Sequence, residues 1–233
     1  MYRSRAQAIC LLFCLVAFAL RLFRLGAESL WYDETVSAYL AREPLSAMFR
    51  HTALDIHPPG YYLLLHMWAS VAGASEYALS FFSLFFGVLL VALLGHAGRR
   101  LCGEAAGLWA AAAAALSAFG IWYSQEVRMY TLAACLGCLL ALETGTALCS
   151  ERQLRHALMW GFISAACLYT LYYLGFLVAA MSLVWLWHVL STGRRRRTSG
   201  SLLAWSTGQI VFLVLYLPWM PVAVRQAIEP PVP

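Results

Sequence analysis

The sequence predicts an all-α polytopic membrane protein, and three observations carry that prediction. Of 233 residues, 62% are hydrophobic and 12% charged, about half of the roughly 25% charged residues with which a soluble domain solvates its surface. Apolar runs close to the roughly 20 residues that cross hydrocarbon recur along the chain. These runs are rich in Leu, Ala and Phe without alternation, which selects helices over barrel strands once the backbone must satisfy itself in lipid.

The first span is expected at 6–25. Arg3 and Arg5 precede its apolar stretch, and Ala17-Phe18-Ala19 resembles a signal-peptidase site. The helical pattern continues through Leu20, Leu22, Phe23 and Leu25 to Gly26, so we read an uncleaved helix. Further spans are expected at 77–98, 104–121, 129–148, 155–172, 173–191 and 201–219. About seven transmembrane helices thus form a single module over 1–233. The Ala110–Ala115 run reads as a small-residue face for close helix approach. Five cysteines (Cys10, Cys14, Cys135, Cys138 and Cys167) lie inside apolar segments, with Cys102 and Cys149 near segment ends. Cys135-x-x-Cys138 has a redox or half-zinc spacing but no second pair, and we read it as helix packing.

The long first loop, 26–76, carries amphipathic patterns. Asp33 can cap a helix to Arg42 with Val36, Tyr39 and Leu40 on one stripe. Pro44 can begin a second with Leu45, Met48 and Phe49 on its apolar side. Both read as helices lying on the membrane surface. His57-Pro58-Pro59 then holds the chain extended.

All 16 basic residues are arginine, and they gather at helix ends. That placement reads as topology rather than a nucleic-acid footprint, so no nucleic-acid partner is expected. The 14 residues Gly60–Gly73 are short for a span. If they do not cross, Arg3, Arg5, Arg99, Arg100, Arg152, Arg155 and Arg194–Arg197 share one face, which the positive-inside rule names cytoplasmic. The N-terminus is then inside. The 26–76 loop, the 122–128 turn and the tail after Pro218 are exported, with eight of the 11 acidic residues among them.

Three clusters fall on that face: Trp31-Tyr32-Asp33-Glu34, Asp55 to Tyr62, and Tyr123 to Tyr130. Each has a bland reading: Asp33 as an N-cap, His57 as a loop residue, Glu126 to Arg128 as a polar helix end. Ionisable groups recurring beside Trp and Tyr at the membrane boundary favour a functional site.

LWYDE, HPPGYYLLLHMW, FFSLFFGVLLVALLGHAGRRL and IWYSQEVRMY, in this order, resemble the dolichyl-phosphate-mannose–protein mannosyltransferase-like group. These are GT-C integral-membrane glycosyltransferases of the family 39 type, bacterial relatives included. The likeness covers about residues 18–150 in motifs and the rest by helix pattern. It implies transfer, with inversion, of a sugar from a polyprenyl-phosphate donor to a protein, lipid or glycan acceptor on the exported side. It also implies residence in a bacterial plasma (inner) membrane. The acidic pair, Asp33 and Glu34, is the implied catalytic element, with Asp33 as base. His57 and Tyr61 of the HPPGYY segment, and Tyr123, Gln125, Glu126 and Arg128, are the implied donor-binding residues. Members are usually longer, with an exported C-terminal region, so this chain is expected to be either a fragment that lacks a C-terminal half or a shortened homologue.

Elementary chemistry agrees with that implication. Displacing phosphate from an anomeric carbon needs a base for the acceptor hydroxyl and a cation for the leaving anion. Arg128, planar and always charged, suits the phosphate, with Arg21, Arg24 and Arg50 as rivals. Nucleotide sugars are cytoplasmic, so an exported site points to a lipid-borne donor. The sequence names neither sugar nor acceptor, and a divalent cation is neither required nor excluded. A non-catalytic polyprenyl-lipid-binding or assembly subunit is the alternative.

Overall fold

The computed structural model describes residues 2–150, 153–191 and 195–229. Arg152, Arg194 and the tail 230–233 lie outside them. Helices run in the order α1 (Tyr2–Leu22), α2 (Tyr32–Leu40), α3 (Leu45–Leu54), α4 (Gly60–Ala72), α5 (Glu76–Cys102) and α6 (Glu104–Leu116). They continue with α7 (Ala118–Gln125), α8 (Tyr130–Cys149), α9 (Gln153–Thr170), α10 (Leu174–Ser191), α11 (Arg195–Tyr216) and α12 (Met220–Ile228). The chain divides into two compact units, 1–49 with 61–138, and 50–60 with 139–233.

The protein is an all-α integral membrane protein, but the expected seven spans are not all met. Among the described residues four helices are long and apolar enough to cross: Arg5–Leu22, Glu76–Cys102, Tyr130–Cys149 and Leu174–Ser191. Two bent pairs raise this to six if each counts as one span. The expected 104–121 helix is the first pair, bent by 57° between α6 and α7. Ser117 causes the break: its backbone is extended and its Oγ accepts from the amide of Gly120 at 3.0 Å, as an N-cap does. The expected 201–219 helix ends at Tyr216, and α12 turns away by 78° around Pro218 and Pro221. The stretch expected at 155–172 forms α9, but Arg155 and His156 in its first turns dilute its apolar character. Helix α4 has 13 residues, about 20 Å at 1.5 Å per residue, well short of roughly 30 Å of hydrocarbon.

In the first unit α1, α5 and α6 close on small residues. Ala17, Val91, Ala111 and Ala115 are fully buried, with Cys10, Phe13 and Cys14 packed against them. A Cβ added at Gly107 would stand 2.6 Å from the carbonyl oxygen of Gly95, so the two backbones touch there. In lipid this close approach replaces the hydrophobic drive of a soluble core. In the second unit α9 packs on α11 at a similar seam, where a Cβ at Gly161 would lie 2.8 Å from the Gly208 carbonyl. Trp160, buried there, donates to Thr144 Oγ1 at 3.0 Å and meets Trp185 edge-on.

The first-loop helix α2 starts two residues earlier than expected. Trp31 is the N-cap, and Asp33 lies inside the first turn. Glu34, three residues after the cap, accepts from the Trp31 amide through Oε2 at 3.2 Å. A carboxylate three residues after the cap reaches back to the cap amide, as in a capping box.

Candidate active site

The site grows from the turn between α7 and α8. Residues Glu126 to Met129 leave the helix, and Val127, Arg128 and Met129 are buried. Two hydroxyls of neighbouring helices pin this turn: Ser83 donates to the Arg128 carbonyl at 3.2 Å, and Thr131 donates to the Ser83 carbonyl at 3.0 Å. Glu34 pins it from the other side, its Oε1 accepting from the Val127 amide at 2.7 Å. Both Glu34 oxygens are therefore held by main-chain donors, joining the first loop to the 126–129 turn.

Asp33, its neighbour, is placed differently. Its side chain is 37% exposed, and its Oδ2 lies 3.5 Å from Nη2 of Arg128, whose own side chain is 4% exposed. Arg128 Nη1 also donates to the Asp33 carbonyl at 3.4 Å, and its guanidinium sits 5.7 Å from the Tyr130 ring centroid. Burial works against the Arg128 charge, but Tyr62, Tyr130 and Asp33 outweigh it and hold the guanidinium more firmly protonated than usual. The result is an exposed carboxylate beside a fixed, largely desolvated cation.

The other expected residues take distinct places. Tyr61 is buried against Phe82, and burial pushes its hydroxyl well above the ordinary tyrosine range. Tyr123 packs edge-on between Phe119 and Tyr130, at 4.5 and 4.8 Å. Gln125 donates to the carbonyls of Arg21 and Phe23 at 2.9 and 2.8 Å, closing the C-terminal end of α1. Glu126 accepts from Trp122 Nε1 at 2.5 Å through Oε1. Among the described residues its Oε2 is buried without a partner. Burial raises the Glu126 carboxyl above its ordinary value, with Glu34 and Asp33 adding to this against the Trp122 bond and Arg128.

Two cavities of the first unit adjoin this cluster. An apolar cleft of about 390 Å³ runs along Leu90, Val91, Leu94 and Phe119 to Tyr123 and Tyr130. A polar cleft of about 590 Å³ is lined by Arg24, Glu28, Trp31, Glu34, Trp122, Gln125 and Glu126. Among the described residues no three His, Cys, Asp or Glu side chains are placed to hold a metal ion.

Seven of the eight expected residues, Asp33, Glu34, Tyr61, Tyr123, Gln125, Glu126 and Arg128, belong to the first unit; His57 belongs to the second. There its Nδ1 lies 3.1 Å from Asp55 Oδ2. Burial would raise the Asp55 carboxyl, but the His57 bond, the Ile56 amide and the His51 charge bring it below its ordinary value. The same loop is held by Gln226 of α12, which donates to the Thr52 carbonyl at 2.8 Å and to that of Asp55, and accepts from Tyr172.

Arg21, a rival for phosphate in the sequence, is not available to one. All three of its guanidinium nitrogens donate within the protein, to Ser124 Oγ at 3.0 Å and to the Ala17, Ala115 and Ala114 carbonyls at 3.3, 3.1 and 3.0 Å. The bend at Ser117 leaves those α6 carbonyls without helical partners, and the arginine supplies them. Sequence reasoning also missed Ser83. Ser80, Ser83 and Gly87 form one stripe of an otherwise apolar helix, and that signal was open to reading.

No curated protein and no solved structure matches this chain. A family model described as dolichyl-phosphate-mannose-protein mannosyltransferase matches residues 56–221. The match takes in His57, Tyr61 and the 123–128 turn and begins after Asp33 and Glu34. It covers well over half of the chain, which therefore belongs to the dolichyl-phosphate-mannose-protein mannosyltransferase family, membrane glycosyltransferases of the GT-C type.

Proposed function

We propose that this chain transfers a sugar from a polyprenyl-phosphate donor to a hydroxyl-bearing acceptor, with its site on the exported face of the membrane. The observation that carries the reading is the Asp33–Arg128 pair: a partly exposed carboxylate 3.5 Å from a buried guanidinium. Asp33 takes the acceptor's hydroxyl proton as that oxygen attacks the anomeric carbon. The bond from that carbon to the phosphate oxygen breaks, and polyprenyl phosphate leaves against Arg128. A guanidinium can meet two phosphate oxygens in parallel, a geometry an ammonium cannot copy. The apolar cleft ending at Tyr123 and Tyr130 suits the first isoprene units, since Tyr130 also lies under Arg128. The polar cleft suits the acceptor, with Trp31 and Trp122 as walls and the orphan oxygen of Glu126 as a hydroxyl acceptor.

Transfer from a polyprenyl-phosphate sugar by the purified chain tests this. Asp33→Asn is expected to lower the rate about 10²–10⁴-fold, the usual loss for a positioned base, with folding and membrane insertion intact. Arg128→Lys should weaken donor binding and Arg128→Ala weaken it further. Near wild-type turnover in Asp33→Asn would return that residue to a role in the helix end. Undiminished donor binding with no turnover in the wild type would favour the lipid-binding subunit.

A further inference from the structure

Helix α5 carries a second polar site, far from the first along its own axis. Ser83 holds the Arg128 turn, and Arg99 follows 16 residues later, about 24 Å along the helix. There His96, Arg99 and Arg100 of α5 line a cavity of about 490 Å³ with Gln7 of α1 and Glu104 of α6. Arg99 Nη2 lies 3.4 Å from His96 Nδ1. Two arginines stand against one carboxylate in this lining, so the cavity favours an anion.

A second cavity, about 360 Å³, shares Gln7, His96, Arg99 and Glu104 with the first. The rest of its lining is apolar, with Leu11 and Cys14 on α1, Ala92 on α5 and Leu108 on α6. Its walls are fixed by close packing: a Cβ at Gly95 would stand 3.1 Å from Ala111 Cβ and 3.3 Å from Cys10 Sγ. Charge and apolar cleft thus join through shared residues. Helices α1 and α5 are both long and apolar enough to cross the membrane, and the arginines occupy the last turn of α5. Basic residues at the end of a span stand at the level of the lipid headgroups.

We infer that this end of the first unit binds an anionic phospholipid, with its phosphate on Arg99 and Arg100 and one acyl chain in the cleft beside Leu11 and Leu108. A small phosphate would use the basic half alone, and a zwitterionic lipid brings a cationic headgroup that offsets the attraction of its phosphate to the arginines. An anionic lipid matches both.

The full chain, purified in detergent, is titrated with phosphatidylglycerol, with phosphatidylcholine of the same acyl chains, and with glycerol 3-phosphate. Bound lipid is read by native mass spectrometry, and stabilisation by the thermal midpoint. Phosphatidylglycerol is expected to bind about 30-fold more tightly than phosphatidylcholine, in line with the attraction of two arginines near a lipid surface. Arg99→Gln with Arg100→Gln should erase that preference. Ala92→Phe, which keeps every charge and fills the apolar cleft, should weaken phosphatidylglycerol binding to a similar degree. Because the arginine pair also influences insertion, the Ala92→Phe result decides if the double variant fails to fold. Equal binding of the two lipids by the wild type would reduce the site to ordinary lipid contact. Glycerol 3-phosphate binding as well as phosphatidylglycerol, or Ala92→Phe retaining full phosphatidylglycerol affinity, would overturn the acyl-chain half.

Discussion

Glu34 gives one oxygen to the Trp31 amide and the other to the Val127 amide, while Asp33 beside it faces a guanidinium. An acceptor hydroxyl would have to displace a main-chain donor from Glu34, whereas Asp33 is open on one side. Glu34 is accordingly a positioning residue in our proposal, and Asp33 the base. Glu34→Gln leaves one amide facing an NH2 group and should cost about 1–3 kcal/mol of stability. Asp33→Asn loses the charge opposite Arg128 but keeps the contact to the Asp33 carbonyl, and with Asp33 partly exposed it should cost less; thermal unfolding of the two variants checks the contrast. Glu126 supplies a pH signature. Its raised carboxyl means that the folded chain holds the proton more tightly than the unfolded chain. The stability from this group is full below the ordinary glutamate value and is lost as pH rises through the folded value. Thermal midpoints of Glu126→Gln and wild type should therefore diverge in favour of the variant from acid toward neutral pH; a constant difference would contradict the shift.

Helix-level behaviour depends on how breaks are satisfied. The bend at Ser117 frees α6 carbonyls, and Arg21 of α1 reaches across to them. Buried hydrogen bonds in membrane proteins average only about 0.6 kcal/mol each, so the four bonds of Arg21 amount to roughly 2 kcal/mol. Arg21→Gln should lose about that much in reversible unfolding and shift the α6–α7 bend. Loss of donor binding without loss of stability would make Arg21 a ligand after all. Gly60 makes a comparable point in the second unit: a Cβ there would come 2.6 Å from the Tyr169 carbonyl, so the residue after His57-Pro58-Pro59 admits no side chain.

For the whole molecule the open quantity is sidedness. We propose from the one-sided arginines that the loop before α4 lies outside and the end of α5 inside. With Cys149 replaced by serine, Ser46→Cys and the native, exposed Cys102 should react with impermeant reagent from opposite sides of the membrane. Labelling of both from one side would remove the exported site from the proposed function.

Membrane residence, the helical class and the residue clusters were legible in the sequence because they are sums over local windows. Composition, run length and motif order need no knowledge of what packs against what. Even so, run length alone reads 104–121 as continuous, where the chain bends at Ser117. Partner choice was decided only by tertiary structure. Arg21 finds Ser124, Glu34 finds Val127 and Asp33 finds Arg128 across roughly a hundred residues each. Four chemically equivalent arginines, and two adjacent carboxylates, cannot be ranked by type or spacing. Burial and the nearest donor separate them, and those are set by how the helices close on their glycines.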